Sequence, residues 1–365
     1  MKTAIVTTTI NVPLLLSDYA KNAKEHGHAN VAFIVIGDLK TPPATKDFCE
    51  KLERKSGYET LFLDVGRQKE YLKRYPELEK FLPYNSIQRR NIGILLAYEN
   101  GAEKIITIDD DNFLVNGDFI GQHSIVGESM TADTLTSSSG WLNVCAFLKE
   151  KNGNAFFPRG YPMKERKNKG DIAHKRIKKT VAVNAGLWLG DPDIDAVTRI
   201  VLAPETEAYT RQENFFLDIG TWSPFNSQNT ALARDVASAY FLSPHIGRYD
   251  DIWASYVVRK ISDHLNEFIS YGFPLAKQKR NEHNLIGDLE KEINGMRMTD
   301  AFCKTLRELP LKETSYKECF AELSRNLPDK LRQDKNFSES DVAMLKNFCE
   351  GLKVWNQTID RVNAK

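Results

Sequence analysis

Four short aliphatic runs, spaced by amphipathic stretches, occupy the first 115 positions and constrain the fold more than any other feature. They are 3–9 (TAIVTTT), 31–36 (VAFIVI), 59–65 (ETLFLDV) and 104–108 (KIITI). An apolar run of that length reads as a strand covered on both faces, as a parallel sheet requires. Between them, 14–26, 46–56 and 86–100 read as helices. The last sets Ile87, Ile92, Leu95 and Leu96 near one face and stops at Gly101. Such strand–helix alternation predicts a doubly wound α/β domain. Ligands of such sheets gather beyond the carboxyl ends of the strands. Those ends are Thr7-Thr8-Thr9, Gly37-Asp38 and Asp109-Asp110-Asp111, so Thr7, Asp38 and the aspartates are expected at one edge.

From about 125 to 245 the pattern loosens, and 144–148 and 180–189 (TVAVNAGLWL) read as continuation strands among polar loops. Residues 249–264 read as a helix. Beyond about 285 the composition turns to Leu, Glu and Lys at helical spacing, over 296–309, 315–323 and 339–359, with breaks expected at Pro310 and Pro328. The predicted organisation is a catalytic domain over 1–284 and a small helical C-terminal subdomain over 285–365.

Fifty basic residues against 49 acidic ones leave a net charge of +1, which gives no reason to expect nucleic acid or an anionic membrane as partner. The five cysteines show no CxxC pair, and a reducing compartment suits them. The first residues lead straight into a strand without the basic head and apolar stretch of a signal peptide. No segment approaches the roughly 18–20 apolar residues of a membrane span. A soluble, cytoplasmic protein is expected.

The acidic triplet is the sharpest chemical signal. Three adjacent carboxylates at a strand end repel one another, and a cation offsets that repulsion. Hard oxygen ligands select Mg²⁺ or Mn²⁺. Alternate residues of an extended segment point the same way, so Asp109 and Asp111 can share a face; a solvated acidic turn is the alternative. Arg89-Arg90-Asn91 lies in the helix leading into that strand, where an arginine suits a diphosphate and an asparagine a base or sugar. Equally, the arginines can decorate an exposed face. The loop 158–162 (PRGYP) fixes Arg159 in a rigid turn suited to a phosphate or simply to solvent. The following 164–179 carries eight basic residues against Glu165 and Asp171, and reads as a solvated loop or a cover for a diphosphate. Asp250 and Asp251 open a helix, where they serve as caps or as catalytic or sugar-binding carboxylates. Trp188 near Asp191, Asp193 and Asp195 has a composition frequent at sugar sites, or is a buried strand before a polar turn. No GxGxxG near the first strand favours a bound flavin or nicotinamide, and GxxxxGK[ST] and GxSxG are absent.

Taken in order, 158–162 (PRGYP), 186–196 (GLWLGDPDIDA) and 247–254 (GRYDDIWA), preceded by the triplet, resemble the reversibly glycosylated polypeptides, also called the UDP-arabinopyranose mutase family. The resemblance runs from about 3 to about 275, with the C-terminal helices outside it. It implies a GT-A-like nucleotide-diphospho-sugar fold with a Rossmann-like mixed sheet. It also implies flavin-independent, metal-dependent interconversion of pyranose and furanose nucleotide sugars. The family's essential arginine, associated with reversible glycosylation, matches Arg159, and a second arginine matches Arg166. Its aspartate triplet matches Asp109, Asp110 and Asp111, its late acidic pair Asp250 and Asp251, and an asparagine Asn229. Two departures stand out. A histidine–serine–lysine stretch is replaced by Gln278-Lys279-Arg280 with His283 displaced, and a cysteine near Asn229 by Asn226.

The expected function is therefore a nucleotide-sugar mutase acting on a UDP- or GDP-linked sugar with Mn²⁺ or Mg²⁺ and no flavin. Asp109, Asp111 and His283 would hold the cation. Thr7, Asp38, Arg90, Asn91, Asp109, Asp110, Trp188 and Asn229 would bind the nucleotide sugar. Asp193, Asp250 or Asp251 would face the anomeric carbon, while Arg159 and Arg166 retain the departed diphosphate. The alternative is a GT-A glycosyltransferase with Asp250 or Asp251 as base, and a third possibility is a non-catalytic sugar-binding subunit. Family habit suggests a homo-oligomer.

Overall fold

A computed structural model describes residues 2–168, 170–279 and 284–364. Among them, twelve strands join one sheet: β1 (Thr3–Thr8), β2 (Val31–Ile36), β3 (Glu59–Leu63), β4 (Lys104–Ile108), β5 (Asn112–Leu114), β6 (Ser129–Ser137), β7 (Leu148–Glu150), β8 (Ile172–Gly190), β9 (Thr206–Tyr209), β10 (Phe215–Leu217), β11 (Asn229–Ala233) and β12 (Phe268–Gln278). The main path runs β3-β2-β1-β4-β11-β8-β6-β10-β12-β5. The first four strands are parallel, as their apolar runs require, whereas β11 is antiparallel to both β4 and β8. The fold is thus the expected α/β architecture with a mixed central sheet.

Register decides where the site falls. Thr7 lies opposite Val35 of β2 and Ile108 of β4, so these three strands end level. The residues just beyond them, Thr8-Thr9, Gly37-Asp38 and Asp109–Asp111, therefore share one rim. The Arg90–Glu99 helix lies close across β1 and β2 because position 93 has no side chain. A Cβ there would stand 2.5 Å from Val6 Cγ1. That contact brings the helix start, with Arg89 and Arg90, under the same rim.

Three expectations need correction. Residues 144–148 form no strand of their own. Val144–Phe147 is a 3₁₀ turn capped by Asn143, whose Oδ1 accepts from Cys145 N at 3.0 Å, and β7 begins only at Leu148. The basic 164–179 stretch is not one loop. Its start is the 3₁₀ turn Lys164–Lys167, and from Ile172 onward it is the first half of β8, paired antiparallel with β6. The β-branched β6 supplies the backbone partners that charge content alone does not reveal. Pro328 does not break its helix, which runs Tyr316–Gln333, with Phe320, Leu323, Leu327 and Leu331 buried along one side. Tertiary packing there outweighs the lost backbone hydrogen bond. Pro310 does follow a helix end, at Glu308.

The helices Leu285–Glu308, Tyr316–Gln333 and Glu339–Asn363 close the chain. They belong to the same hydrophobic cluster as the sheet's covering helices. Phe302 stacks on Trp253 at 3.8 Å, and the Trp355 indole donates to Ser238 O at 3.0 Å. Aromatic stacking of that kind adds roughly 0.5–1.5 kcal/mol beyond area burial. Here it braces the Asp250–His264 helix, which carries two carboxylates of the site. No helix among the described residues is long and apolar enough to cross a membrane.

Candidate active site

Two cavities adjoin at the rim, and Ile87 lines both. One, of about 230 Å³, is bounded by Thr8, Thr9, Asp38, Ser86, Arg89 and Asp110. The other, of about 260 Å³, is bounded by Asp109, Asp111, Arg159, Asp193, Arg248, Asp250 and Asp251, with Gln88, Ser227, Gln228 and Gln278. The triplet divides between them. Asp109 and Asp111 face the carboxylate-rich cavity and Asp110 the smaller one, not by the alternation of an extended segment but across a turn in which Asn112 N donates to Asp109 O at 3.4 Å.

Each aspartate has its own environment. Asp109 Oδ1 accepts from Arg90 Nη2 at 2.5 Å. Otherwise Nη1 and Nη2 of that buried guanidinium donate inward, to Ser227 O and Oγ at 2.7 Å and Thr8 Oγ1 at 3.2 Å, while Nε has no partner among the described residues. Arg90 is therefore the internal counter-charge of Asp109 and not a diphosphate clamp. Asp110 accepts from Thr9 Oγ1 at 2.5 Å; burial raises its carboxyl above the usual range, and the Asp109 charge adds to this. Asp38 accepts from Ser86 N at 3.0 Å and Leu39 N at 2.7 Å, which fixes it at the mouth of the smaller cavity.

Arg159 is the hub of the larger cavity. Its loop lies directly on the Asp250–His264 helix because residue 160 is glycine at φ +84°, where a Cβ would stand 2.2 Å from Ile252 Cγ2. Nε and Nη2 donate to Asp193 Oδ1 and Oδ2, both at 2.9 Å. Nη1 and Nη2 donate to Asp251 Oδ1 and Oδ2 at 3.1 and 3.3 Å, and Nη1 also donates to Arg248 O. A guanidinium has five N–H donors, and these contacts use all five. The side chain expected to retain a departed diphosphate is instead a fork that joins the PRGYP, GDPDIDA and GRYDD segments. Arg166 stands outside both cavities, with Nη2 on Asp195 Oδ2 at 2.6 Å and Nη1 donating to Thr198 Oγ1 at 3.4 Å. Asp195 in turn caps the Ala196–Leu202 helix through Thr198 N.

The three carboxylates around Arg159 in this cavity are unequal. Asp193 also accepts from Asn226 Nδ2 at 2.7 Å, and Asp251 from Ser227 N and Oγ at 3.0 and 3.3 Å. Asp250 meets a single side-chain donor, Gln88 Nε2, at 2.9 Å. Burial and then the neighbouring Asp251 charge push its carboxyl up to about 7, against the pull of Arg159, the Asp251 backbone N–H and Gln88. One acid is thus poised to exchange a proton near neutrality beside two arginine-locked anions.

A divalent cation fits this lining. Five carboxylates meet two guanidiniums there, and Arg159 is fully engaged internally. An anionic diphosphate would be repelled without a positive charge between. The Gln278 side chain, 5% exposed, presents a buried Oε1 with no hydrogen-bond partner among the described residues. Among the described residues no group of three or more His, Cys, Asp or Glu side chains could hold a metal by itself. Asp109 and Asp111 would therefore need neutral oxygens beside them. His283, the expected third ligand, lies outside the described residues.

Four further expected residues lie away from the cavities. Thr7 is buried within the sheet, and the next two threonines reach the smaller cavity instead. The Asn91 amide donates to Gln88 O and Leu242 O, both at 2.8 Å, and its Oδ1 accepts from Leu242 N at 3.0 Å, so it ties its helix to the chain at 242. Trp188 is a core residue whose indole N–H has no partner. The Asn229 amide donates to Pro274 O at 2.9 Å within the sheet. The sequence assigns no role to Gln88, Ser227 and Arg248, and marks Gln278 only as part of a departure from the family pattern. Arg248 stood inside a quoted motif; the neutral side chains carry no signal of their own.

The family model for "Reversibly glycosylated polypeptide" matches residues 46–359. This extent takes in the three C-terminal helices, which the sequence comparison by motif had left outside. Probable UDP-arabinopyranose mutase 1 of Solanum tuberosum is 29% identical over 268 residues, 71% of this chain and 68% of that protein. UDP-arabinopyranose mutase 2 of Arabidopsis thaliana is 28% identical over 268 residues, 71% of this chain and 69% of that protein. Among solved structures, S. aureus TarS 1–349 is 12% identical with a TM-score of 0.39, covering 100% of this chain and 83% of that one, too slight a likeness to inform function. The chain belongs to the reversibly glycosylated polypeptide family.

Proposed function

We propose that the protein interconverts the pyranose and furanose forms of a nucleoside-diphosphate sugar, with UDP-arabinopyranose, the sugar nucleotide named for its relatives, as the first substrate to test. The nucleoside would occupy the Asp38 cavity, the diphosphate would cross Ile87 to Asp109 and Asp111, and the sugar would lie under Asp193, Asp250 and Asp251. A divalent cation on Asp109 and Asp111 supplies charge neutralisation that makes the diphosphate a better leaving group.

The chain's own residues do the rest. When the C1–O bond to the diphosphate breaks, Asp193 and Asp251, held in place by Arg159, face the positive charge that develops at C1. The sugar's free ring-forming hydroxyl attacks C1 and gives its proton to the Asp250 carboxylate. The diphosphate, held near Arg248, then returns to C1. The original ring C1–O bond opens, and its oxygen takes the proton back from Asp250, so atoms and charge balance. A group that both accepts and returns a proton works best with a proton affinity near the working pH.

The observation that carries this reading is Asp250, a buried carboxyl pushed up to about 7 in the same small cavity as two carboxylates bound to Arg159. The test is incubation of the protein with Mn²⁺ and UDP-arabinopyranose, with no acceptor, followed by chromatography of nucleotide sugars. Appearance of the furanose isomer supports the mutase. Slow release of UDP and free sugar alone would instead indicate a glycosyltransferase and sink the proposal.

A further inference from the structure

Gln278 is the last residue of β12 and stands opposite Asn112, the residue that follows the acidic triplet. It lines the cavity together with Asp109 and Asp111, it is 5% exposed, and its Oε1 lacks a hydrogen-bond partner among the described residues. A buried amide oxygen without a donor is rare in folded proteins, and an ion is one of its ordinary explanations. The aspartates leave room for such a ligand. Asp109 already gives Oδ1 to Arg90, so it has one oxygen to offer a cation.

We propose that Gln278 supplies a third, neutral oxygen to a divalent cation bound by Asp109 and Asp111. The inference rests on the metal-dependent reading of this cavity and names the residue that completes its protein ligands. A neutral ligand suits an anionic substrate. Two carboxylates balance a dication, and a third would oppose the incoming diphosphate. An all-oxygen set is also hard, so Mg²⁺ should bind usefully beside Mn²⁺.

The experiment is calorimetric titration of the full-length protein with Mn²⁺ alone, UDP alone and Mn²⁺ with UDP. Gln278→Ala and Gln278→Glu are compared with wild type, and melting curves without metal check folding. Gln278→Ala is expected to weaken Mn²⁺ binding about tenfold or more, the scale on which even outer-shell partners act, with metal-free UDP binding unchanged. Gln278→Glu is expected to tighten Mn²⁺ alone and to weaken UDP binding in its presence. Equal Mn²⁺ affinity in wild type and a folded Gln278→Ala overturns the assignment. So does a loss confined to metal-free UDP, which would make Gln278 a substrate contact. If Gln278→Ala does not fold, unchanged Mn²⁺ affinity in Gln278→Glu overturns it equally. A wild type that binds neither Mn²⁺ nor Mg²⁺, with or without UDP, overturns the metal reading itself and this assignment with it.

Discussion

Replacing Arg159 by alanine should act first on stability, because that guanidinium holds two buried carboxylates apart from each other and from solvent. Its side chain is 9% exposed, and those of Asp193 and Asp251 are 4% and 8%. Removing one partner of a buried ion pair typically costs about 3–5 kcal/mol, since the other charge is left uncompensated. With an unfolding entropy of about 2.1 cal/mol/K per residue, a chain of 365 residues should lose roughly 4–6 °C in Tm. The loss should depend on pH with a definite sign. Without Arg159 two buried carboxylates would lie in one cavity with no counter-charge bound to them, which disfavours their charged forms. The penalty is then full at neutral pH and is relieved as pH falls and they take up protons. Scanning calorimetry from pH 8 to pH 5 reads both effects, and adding Asp193→Asn with Asp251→Asn should recover much of the Tm at pH 8. An Arg159→Ala protein that melts with wild type at every pH would refute the account of Arg159 as an internal fork.

Three other outcomes follow from the same geometry. Asp250 is raised from 3.8 to about 7, so its ionised form disfavours folding. The effect is absent below about pH 4 and complete above pH 7, and Asp250→Asn should gain at most on the order of 4 kcal/mol there while losing turnover. Gln88→Ala removes a donor that favours the ionised form, so the pH–rate profile should move to higher pH; an unmoved profile with lower turnover would contradict the pairing. Asp38→Asn should weaken nucleotide binding about five- to tenfold with little change in kcat, as equilibrium binding and kinetics together would show.

The parallel core was legible because strands covered on both faces have to be aliphatic throughout, and β2 is VAFIVI from end to end. The strand's end was less so. Thr7, Thr8 and Thr9 are chemically alike, and only the end of β1 at Thr8 decides that the last two reach the cavity. The motifs around Arg159, Asp193 and Asp251 were visible as motifs, yet their mutual engagement was not, because an arginine's partners are set by packing between segments 34 and 92 residues apart. Polar residues drawn toward a ligand by their chemistry, Arg90 and Asn91, proved to be bound internally, since buried polar groups take partners wherever the backbone offers them. Gln88 stayed hidden, and Gln278 showed only as a departure from the family pattern, for the opposite reason. A neutral amide has no distinctive spacing, and it gains meaning only beside Asp250 or beside the acidic rim.

The most direct test of the central claim is a crystal structure with Mn²⁺ and UDP, using manganese anomalous scattering to locate the ion. The account predicts an anomalous peak between Asp109 and Asp111, the diphosphate on it, and the nucleoside in the cavity bounded by Asp38 and Ser86. UDP bound elsewhere, or a saturated crystal with no manganese at the two aspartates, would contradict it.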